Sequence, residues 1–379
     1  MSSREKNYYH AKYLHGGRGL TYLLYLVSLF GGFIKKRSRV IEILILIVIW
    51  MLSSFASGNA DSGIYEGRYN FYQNYMGMSE LGWQTLMIVF NTIGVEYQTF
   101  KCILIAIELV LLSHAIHRLS DEPGFVLAVY LLFPFCLDVV QMRFALADSI
   151  AFFAMSFLFQ PIVYGEQCKH YKLTFTALIL LASLFHFITI IYLVLLLVPR
   201  LGTVGSFLAV PLVSALVVLV VNWSGLAPIA SAVGLGIKFE MVTSSSGGLS
   251  SIMRYSFNVV FCAAAWAFIF SLAPGSQDAG DTRRAALVVN WVIVAVVIPL
   301  LFLSVDFYRL EQGITLLNLC FLSHYLGKEA RLGFSVRNVA IILLSGGLAL
   351  ANLFLYVLSN TNIDYVFWPL FKNNLLLLG

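Results

Sequence analysis

The chain has 379 residues, of which 60% are hydrophobic and only 11% are charged. A water-soluble domain has roughly 45–50% apolar and about 25% charged residues. The composition therefore excludes a soluble globular protein of this size and favours a lipid bilayer as the solvent. The net charge of +5 is spread along the chain in short clusters, so it does not indicate nucleic acid as a partner.

The chain begins with a polar, basic segment, and we expect residues 1–19 to form a cytoplasmic tail. The apolar run that follows has no small-residue cleavage site, so we expect no cleavable signal peptide.

Apolar runs occupy most of the remaining chain, and a spanning helix needs about 20 such residues. They cover 20–34, 40–56, 82–95, 99–117, 124–140, 144–160, 173–197, 204–222, 255–272, 285–304, 309–326 and 337–358. The pattern predicts an all-α, polytopic transmembrane bundle of about 10–12 hydrophobic helices, in one integral membrane domain over 1–379. The runs at 20–34 and 82–95 are short enough to be interfacial or re-entrant.

Three segments between or after these runs are predicted to lie outside the bundle. The stretch 57–81 carries little basic charge, and we place it as an outer loop. The stretch 223–254 is rich in Ser and Gly, which is typical of a mobile outer loop over a substrate opening. Residues 359–379 are expected to form a C-terminal tail.

Basic clusters between the apolar runs predict the topology. They are Lys35–Arg39, Lys169–Lys172, Arg283–Arg284 and Lys328–Arg337. Placing all of them inside requires one extra element within 57–98 and another within 173–222. Re-entrant segments at 82–95 and around His186 meet this requirement, and such backbone is tolerated where it lines a cavity. An exception to the charge rule is the alternative explanation.

Ionisable residues beside or within apolar runs are the candidates for chemistry, because the bilayer makes them costly. They are Glu108, Asp138, Arg143, Asp148, His186, Asp306, Arg309 and Glu311. An arginine at a helix start suits a phosphate or pyrophosphate, since its planar fork binds two oxygens at once. The alternative is an arginine that snorkels to the interface and pairs with Asp138 or Asp306.

His186 and Glu108 lie deep within their runs. His186 is either a buried neutral histidine that bonds a neighbouring helix, or a general base or phosphate ligand in a wet cavity. Glu108 is expected to be an interhelical hydrogen-bond partner. No Walker loop, dinucleotide fingerprint or H-E-x-x-H motif is present. We expect no metal and no cofactor, because the acidic residues are scattered without ligand spacing.

Loose motifs occur in a recognisable order. They are the loop pattern with Asp61, Tyr65 and Tyr69, SELGWQTLMIVF at 79–90, YQTF at 97–100, RFALADSIAFF at 143–153, LASLFHFITIIYL at 181–193, and the segment with Asp306, Tyr308 and Arg309. In this order the chain resembles the EpsG family of bacterial exopolysaccharide proteins, which are similar to Wzy-type polysaccharide polymerases. Phe144 departs from the family's usual glutamine, and Phe187–Thr189 from its usual small residues.

The resemblance implies a membrane glycosyltransferase with a type C-like fold. Donor and acceptor would both be polyprenyl-pyrophosphate-linked oligosaccharides, with no nucleotide sugar. The protein would be a multi-pass protein of the bacterial inner membrane, with its active site facing the periplasm or exterior. Membrane lipid and other polysaccharide assembly proteins are the further expected partners.

That chemistry implies roles for particular residues. Cations must stabilise the pyrophosphate leaving group, and our choices are Arg143, Arg309 and Arg254. A base must accept the proton of the acceptor hydroxyl, and our candidates are His186 first, then Asp61 and Glu80. Asp306 and Tyr308 are expected to support them.

Two other functions stay open. An O-antigen ligase-type glycan transferase would share the same helices, loop and arginines. A lipid-linked sugar transporter or flippase is the other alternative, although transporters often show inverted repeats with paired broken helices and only one broken region is indicated here.

Overall fold

The computed structural model describes the greater part of the chain. The described residues are 3–34, 36–75, 80–165, 169–200, 208, 210–212, 214–216, 248–272, 277–329, 335–358 and 363–377. The structure is 87% helical, and no strand occurs among these residues. Five described helices are long and apolar enough to cross a membrane, and shorter apolar helices accompany them. The prediction of an all-α polytopic bundle is confirmed.

The helices are labelled in chain order as far as the structure describes them. They are α1 Ser3–Ile34, α2 Arg39–Phe55, α3 Ser62–Asn70, α4 Leu81–Thr92, α5 Tyr97–Leu119, α6 Pro123–Leu132, α7 Phe135–Val140, α8 Met142–Tyr164, α9 Tyr171–Ser183, α10 Leu249–Ser271, α11 Gln277–Leu300, α12 Leu310–Glu329, α13 Val336–Leu353 and α14 Pro369–Lys372. Segments of 3₁₀ helix cover Tyr72–Tyr75, Phe187–Arg200, Val305–Arg309 and Leu375–Leu377, and π-helical turns cover Phe354–Leu358 and Ile363–Phe367.

Two predicted runs are each divided in the structure. The run 124–140 becomes α6 and α7, with Pro134 at the division, because proline has no amide hydrogen to continue a helix. The run 173–197 becomes α9 and the 3₁₀ helix Phe187–Arg200. Most of the run 204–222 and residues 223–247 lie outside the described residues. The remainder of the predicted loop 223–254 is largely helical, because α10 begins at Leu249.

The bundle has two ends, which we call the Arg143 end and the His324 end. At the His324 end, the Nδ1 atom of His324 lies 2.8 Å from Asp121 Oδ2, and the Tyr164 hydroxyl donates to Asp121 Oδ1 over 3.1 Å. Nearby, Arg37 Nε lies 2.9 Å from Glu122 Oε1. These contacts join the ends of α8 and α12 to the loops that precede α2 and α6.

The segment between α2 and α5 begins and finishes at the Arg143 end. Lys101 Nζ, early in α5, donates to the carbonyl of Ala56 just after α2 over 2.6 Å. The Tyr69 hydroxyl of α3 donates to the carbonyl of Val95 over 2.6 Å. Helices α3 and α4 therefore do not cross the bundle, which is the arrangement that the charge pattern requires within 57–98.

A helical hairpin provides the second element that the charge pattern requires. Helix α9 starts shortly after α8 and leads to a turn at 184–186, where the Leu184 carbonyl accepts from Gly82 N over 2.8 Å. The 3₁₀ helix then returns, and Val198 and Pro199 line a cavity with Tyr164 at the His324 end. Whether either segment is re-entrant in a membrane stays a prediction.

Both terminal segments contact the Arg143 end. The Tyr22 ring of α1 stacks on Phe371 of α14 with centroids 4.6 Å apart, and Ser57 N donates to the carbonyl of Asn373 over 3.1 Å. The described part of the predicted tail 359–379 is thus packed against the bundle. Because α1 starts at this end, a cytoplasmic 1–19 and an exterior Arg143 end are in conflict, and both remain predictions.

Candidate functional site

An ion pair joins the starts of two helices at the Arg143 end. Arg143, in the first turn of α8, places its Nη1 atom 2.9 Å from Oε2 of Glu80, the residue that caps α4. The side chain of Glu80 is 9% exposed and that of Arg143 is 22% exposed. A carboxylate is favourable before a helix N-terminus, and its burial is stabilised by the arginine.

The loop between α2 and α5 supplies an aromatic wall to this ion pair. Tyr65 of α3 is hydrogen-bonded to Arg143, whose guanidinium carbon lies 6.0 Å from the Tyr65 ring centroid. Tyr65 also packs edge-to-face on Trp83 of α4, with centroids 5.7 Å apart. Tyr65 and Tyr69 are buried, so these two tyrosines are core residues that hold the loop against the bundle.

A second arginine is held by a short turn before α12. Ser304 caps the turn by accepting from the amide of Asp306 over 3.3 Å. Arg309 Nη2 lies 2.9 Å from Asp306 Oδ1, one turn apart on the same face. The side chain of Arg309 is 22% exposed and that of Asp306 is 44% exposed, so this pair opens toward solvent.

Asp61 lies within electrostatic range of both arginines and of a third one, Arg68. The charged form of Asp61 is favoured by Arg309, Arg143 and Arg68, and is disfavoured by Asp306. Burial is the larger effect and raises the pKa of Asp61 above its usual value. We call Arg68, Arg143 and Arg309, gathered around Asp61, the arginine cluster.

The arginine cluster keeps unused hydrogen-bond donors. The Nε atoms of Arg68, Arg143 and Arg309 are buried and have no partner among the described residues. Two long helices, α8 and α12, also begin beside the cluster, and their N-termini carry partial positive charge. Unpaired cationic donors and helix N-termini together form a site that can accept an anion.

His186 is buried beside the start of α8. Its side chain is 7% exposed, and its ring packs edge-to-face on Phe144, with centroids 5.4 Å apart. Phe187 is parallel to it at 6.2 Å. The turn that carries His186 is bonded through Leu184 to Gly82 of α4. His186 therefore packs against the residue after Arg143, within the same end of the bundle.

Arg254 and Tyr308 are placed at the edge of the cluster. Arg254 belongs to α10, and its Nη2 atom donates to the carbonyl of Leu355 over 2.6 Å. Tyr308 stacks on Tyr255 of α10 with centroids 4.6 Å apart. Arg254 thus ties α10 to the turn after α13, whether or not it also contacts a ligand.

The sequence offered pairing with Asp138 or Asp306 as the alternative role of the two arginines, and only one of these pairs forms. Arg309 does pair with Asp306, but Arg143 pairs with Glu80 and not with Asp138. The Tyr130 hydroxyl donates to Asp138 Oδ2 over 2.8 Å instead.

Glu108 was expected to form an interhelical hydrogen bond, but its Oε1 atom forms none with the described residues. This atom is buried without a partner in the described part of the chain. Glu108 and Asp138 line a cavity of about 20 Å³, which is roughly the space of one water molecule.

Sequence reasoning missed Arg68, Tyr65, Tyr255 and Tyr356 as site residues. One of them had a usable signal, because Arg68 is the single basic residue between 57 and 81. Tyr65 had a weaker one, as part of the loop pattern with Asp61 and Tyr69. Tyr255 and Tyr356 had none, since this chain contains 19 tyrosines spread over spans and loops.

Two further features bear on the chemistry. Among the described residues, no group of three or more His, Cys, Asp or Glu side chains could hold a metal ion. A polar cavity of about 680 Å³ lies away from the arginine cluster, at the His324 end, and is lined in part by Tyr164, Asp281, Arg284 and His324.

Comparison with known proteins agrees with the order of the motifs. The model of the EpsG family matches residues 38–369, which is nearly the whole chain and includes every residue of the arginine cluster. No curated protein and no solved structure matches the chain. The likeness to type C glycosyltransferases thus remains a prediction. The chain belongs to the EpsG family, which is associated with exopolysaccharide polymerisation.

Proposed function

We propose that this chain is a Wzy-like polymerase. It transfers a growing glycan from a polyprenyl-pyrophosphate-linked donor to a lipid-linked repeat unit, at the outer leaflet of the bacterial inner membrane and without a metal ion. The arginine cluster is the observation that carries the proposal. Its three Nε donors have no partner among the described residues, so they support a role in binding an anionic group such as pyrophosphate.

The cluster suits the leaving group of this reaction. Breaking the bond between C1 of the donor sugar and the pyrophosphate oxygen leaves the electron pair, and negative charge, on that oxygen. Preorganised guanidinium groups stabilise charge as it develops, which is often the largest single contribution to catalysis. Arg143 is held by Glu80 and Arg309 by Asp306, so both are oriented before substrate arrives. Arg68 approaches from the loop.

Asp61 is the favoured base. The acceptor hydroxyl forms the new bond to C1 and gives its proton to a carboxylate. Burial raises the pKa of Asp61, and therefore makes its carboxylate a better proton acceptor than an ordinary aspartate. Glu80 is committed to Arg143, and His186 is packed between aromatic rings. We therefore place Asp61 ahead of His186, and assign His186 to positioning the start of α8.

The test is reconstitution with lipid-linked repeat units extracted from a producing strain that lacks this protein. The wild-type protein in lipid should build a ladder of repeats, and EDTA should leave it unchanged. Arg143→Lys keeps a charge for Glu80 but loses the planar fork. We expect it to lower kcat by about 100-fold or more, as the loss of one preorganised donor does.

Arg118 supplies a matched control in a spanning helix. It is bonded to Gln160 and lies over the Phe157 ring, far from the cluster at the end of α5. Arg118→Lys should keep the ladder. Addition of a single finished glycan to an acceptor would indicate a ligase instead. Movement of the substrate across the bilayer without a ladder would indicate a transporter, and a normal ladder from Arg143→Lys would remove the arginine from the mechanism.

A further inference from the structure

Four aromatic rings lie nearly parallel beside the arginine cluster. Tyr255 and Tyr308 are 4.6 Å apart at an angle of 16°, and Tyr308 and Tyr356 are 5.2 Å apart at 14°. Tyr255 and Tyr356 are also nearly parallel at 6.1 Å and 18°, so the three tyrosines contact one another, and Phe133 adjoins Tyr356 at 5.7 Å and 13°. We call these residues the aromatic stack. They come from four separate parts of the chain.

The aromatic stack has a buried side and an accessible side. Phe133 and Tyr356 are buried and belong to the core. Tyr255 and Tyr308 are only half-buried. An aromatic pair that served packing alone would gain most by full burial of both rings. The outer pair instead stays accessible at the end of the bundle where the substrate is expected.

The outer pair also adjoins the proposed pyrophosphate site. Tyr308 directly precedes Arg309, and the Tyr255 hydroxyl lies within electrostatic range of Arg309 and Asp306. Arg254, next to Tyr255, is bonded to the carbonyl of Leu355, next to Tyr356. That bond fixes the two sides of the stack relative to each other.

We propose that Tyr255 and Tyr308 form a glycan-binding subsite that holds the sugar next to the pyrophosphate, with Arg254 as a positioning residue. The face of an aromatic ring is negative and attracts the positively polarised C–H groups on the face of a sugar ring. The Asp306 carboxylate provides acceptors for sugar hydroxyls at the rim. This inference rests on the proposed function, because it takes the cluster as the pyrophosphate site.

The experiment compares two ligands on the full-length protein in lipid nanodiscs. One is undecaprenyl pyrophosphate without sugar, and the other is the extracted lipid-linked repeat unit. Tyr255→Ala should weaken binding of the repeat unit by about tenfold, the scale of one aromatic contact. It should leave binding of the sugar-free lipid within about twofold. Tyr255→Phe should behave like wild type for both ligands.

Phe257 offers a matched control on the same helix. It is 66% exposed and stacks on Phe261 on the surface of α10. Phe257→Ala should change neither affinity. Equal loss of both ligands in Tyr255→Ala would mean that the ring only supports the fold, and no loss of either would mean that it contacts no sugar. Either result overturns the subsite.

The two proposals fail separately. If Arg143→Lys still builds a normal ladder, the pyrophosphate site is wrong. The difference between the two ligands in Tyr255→Ala still decides the subsite.

Discussion

Asp61 is subject to opposing electrostatic effects that a single substitution can separate. Burial disfavours its charge, whereas Arg309, Arg143 and Arg68 favour it and Asp306 opposes it. The net effect is a raised pKa. A base is active when ionised, so activity should be lost as pH falls through this raised pKa, at a higher pH than for an ordinary aspartate.

Two substitutions should therefore move the acidic limb of the kcat/KM profile in opposite directions. Arg68→Gln removes a favourable cation, so the limb should move to higher pH. Asp306→Asn removes an unfavourable anion and releases Arg309, so the limb should move to lower pH. The measurement is ladder formation against pH with the reconstituted protein. Shifts of the same sign, or an unchanged limb, would exclude Asp61 as the titrating base.

Single residues were partly predictable from the sequence. Arg143 and Arg309 could be singled out because a charge beside an apolar run is costly and is kept for a reason. Their partners were not equally predictable. Asp306 is one turn from Arg309 and follows from helix geometry, whereas Glu80 meets Arg143 only because the start of α4 lies beside the start of α8.

The start of helix α4 contacts the turn at 184–186, which divides the predicted run 173–197. The amide of Gly82 donates to the carbonyl of Leu184 over 2.8 Å. A Cβ atom at Gly82 would lie 2.8 Å from that same carbonyl oxygen, which cannot move aside as a side chain could. Only glycine allows this approach, and the contact sets the position of Glu80 at the start of α4.

Gly82→Ala should therefore destabilise the protein by about 1–3 kcal/mol, the usual cost of forcing extra volume into a packed contact. It should also reduce polymer formation, since Glu80 would no longer orient Arg143. Thermal unfolding in detergent and ladder length measure the two effects. Gly67 in α3 is the control, because a Cβ there meets nothing within 4 Å. Gly67→Ala should be neutral or slightly stabilising, and equal effects of both substitutions would contradict the role of the Gly82 contact.

The helices were predictable from the sequence where their formation depends only on neighbouring residues. Apolar runs of the right length correspond to helices because unpaired backbone groups are not tolerated in lipid. The break near His186 was indicated only indirectly, by the charge count across 173–222. Its form, a hairpin closed by Gly82, depends on contact with another element and leaves no pattern in the sequence.

At the scale of the whole molecule, the membrane topology follows from which helix ends lie at the same end of the bundle. Arg37, in the loop before α2, and Arg284, early in α11, lie at the His324 end, together with the start of α9. The positive-inside rule predicts that this end is cytoplasmic and that the arginine cluster faces the exterior.

Labelling with a membrane-impermeant maleimide tests this arrangement in a cysteine-free background. Cysteines at the exposed positions Glu66 and Asn70 should react in intact cells, after removal of any outer membrane barrier. Cysteines at Arg39 and Lys172 should react only after the inner membrane is permeabilised. Opposite accessibility of Arg39 and Lys172 would contradict the assignment of α3 and α4 as a segment that does not cross the membrane. A cysteine at Gly19 decides the conflict over residues 1–19: reaction in intact cells places them outside.

The sequence by itself determined that this protein lies in a lipid bilayer, that it is all-helical and that it belongs to its family. Composition and run length are local properties, and a bilayer converts them directly into spanning helices. Only the tertiary structure decided which charges form the site. Arg68, Arg143 and Arg309 meet around Asp61, and Tyr255 meets Tyr308, through contacts between distant elements. The reason is physical: lipid-facing and helix-facing surfaces are equally apolar, so hydropathy does not record which helices are neighbours.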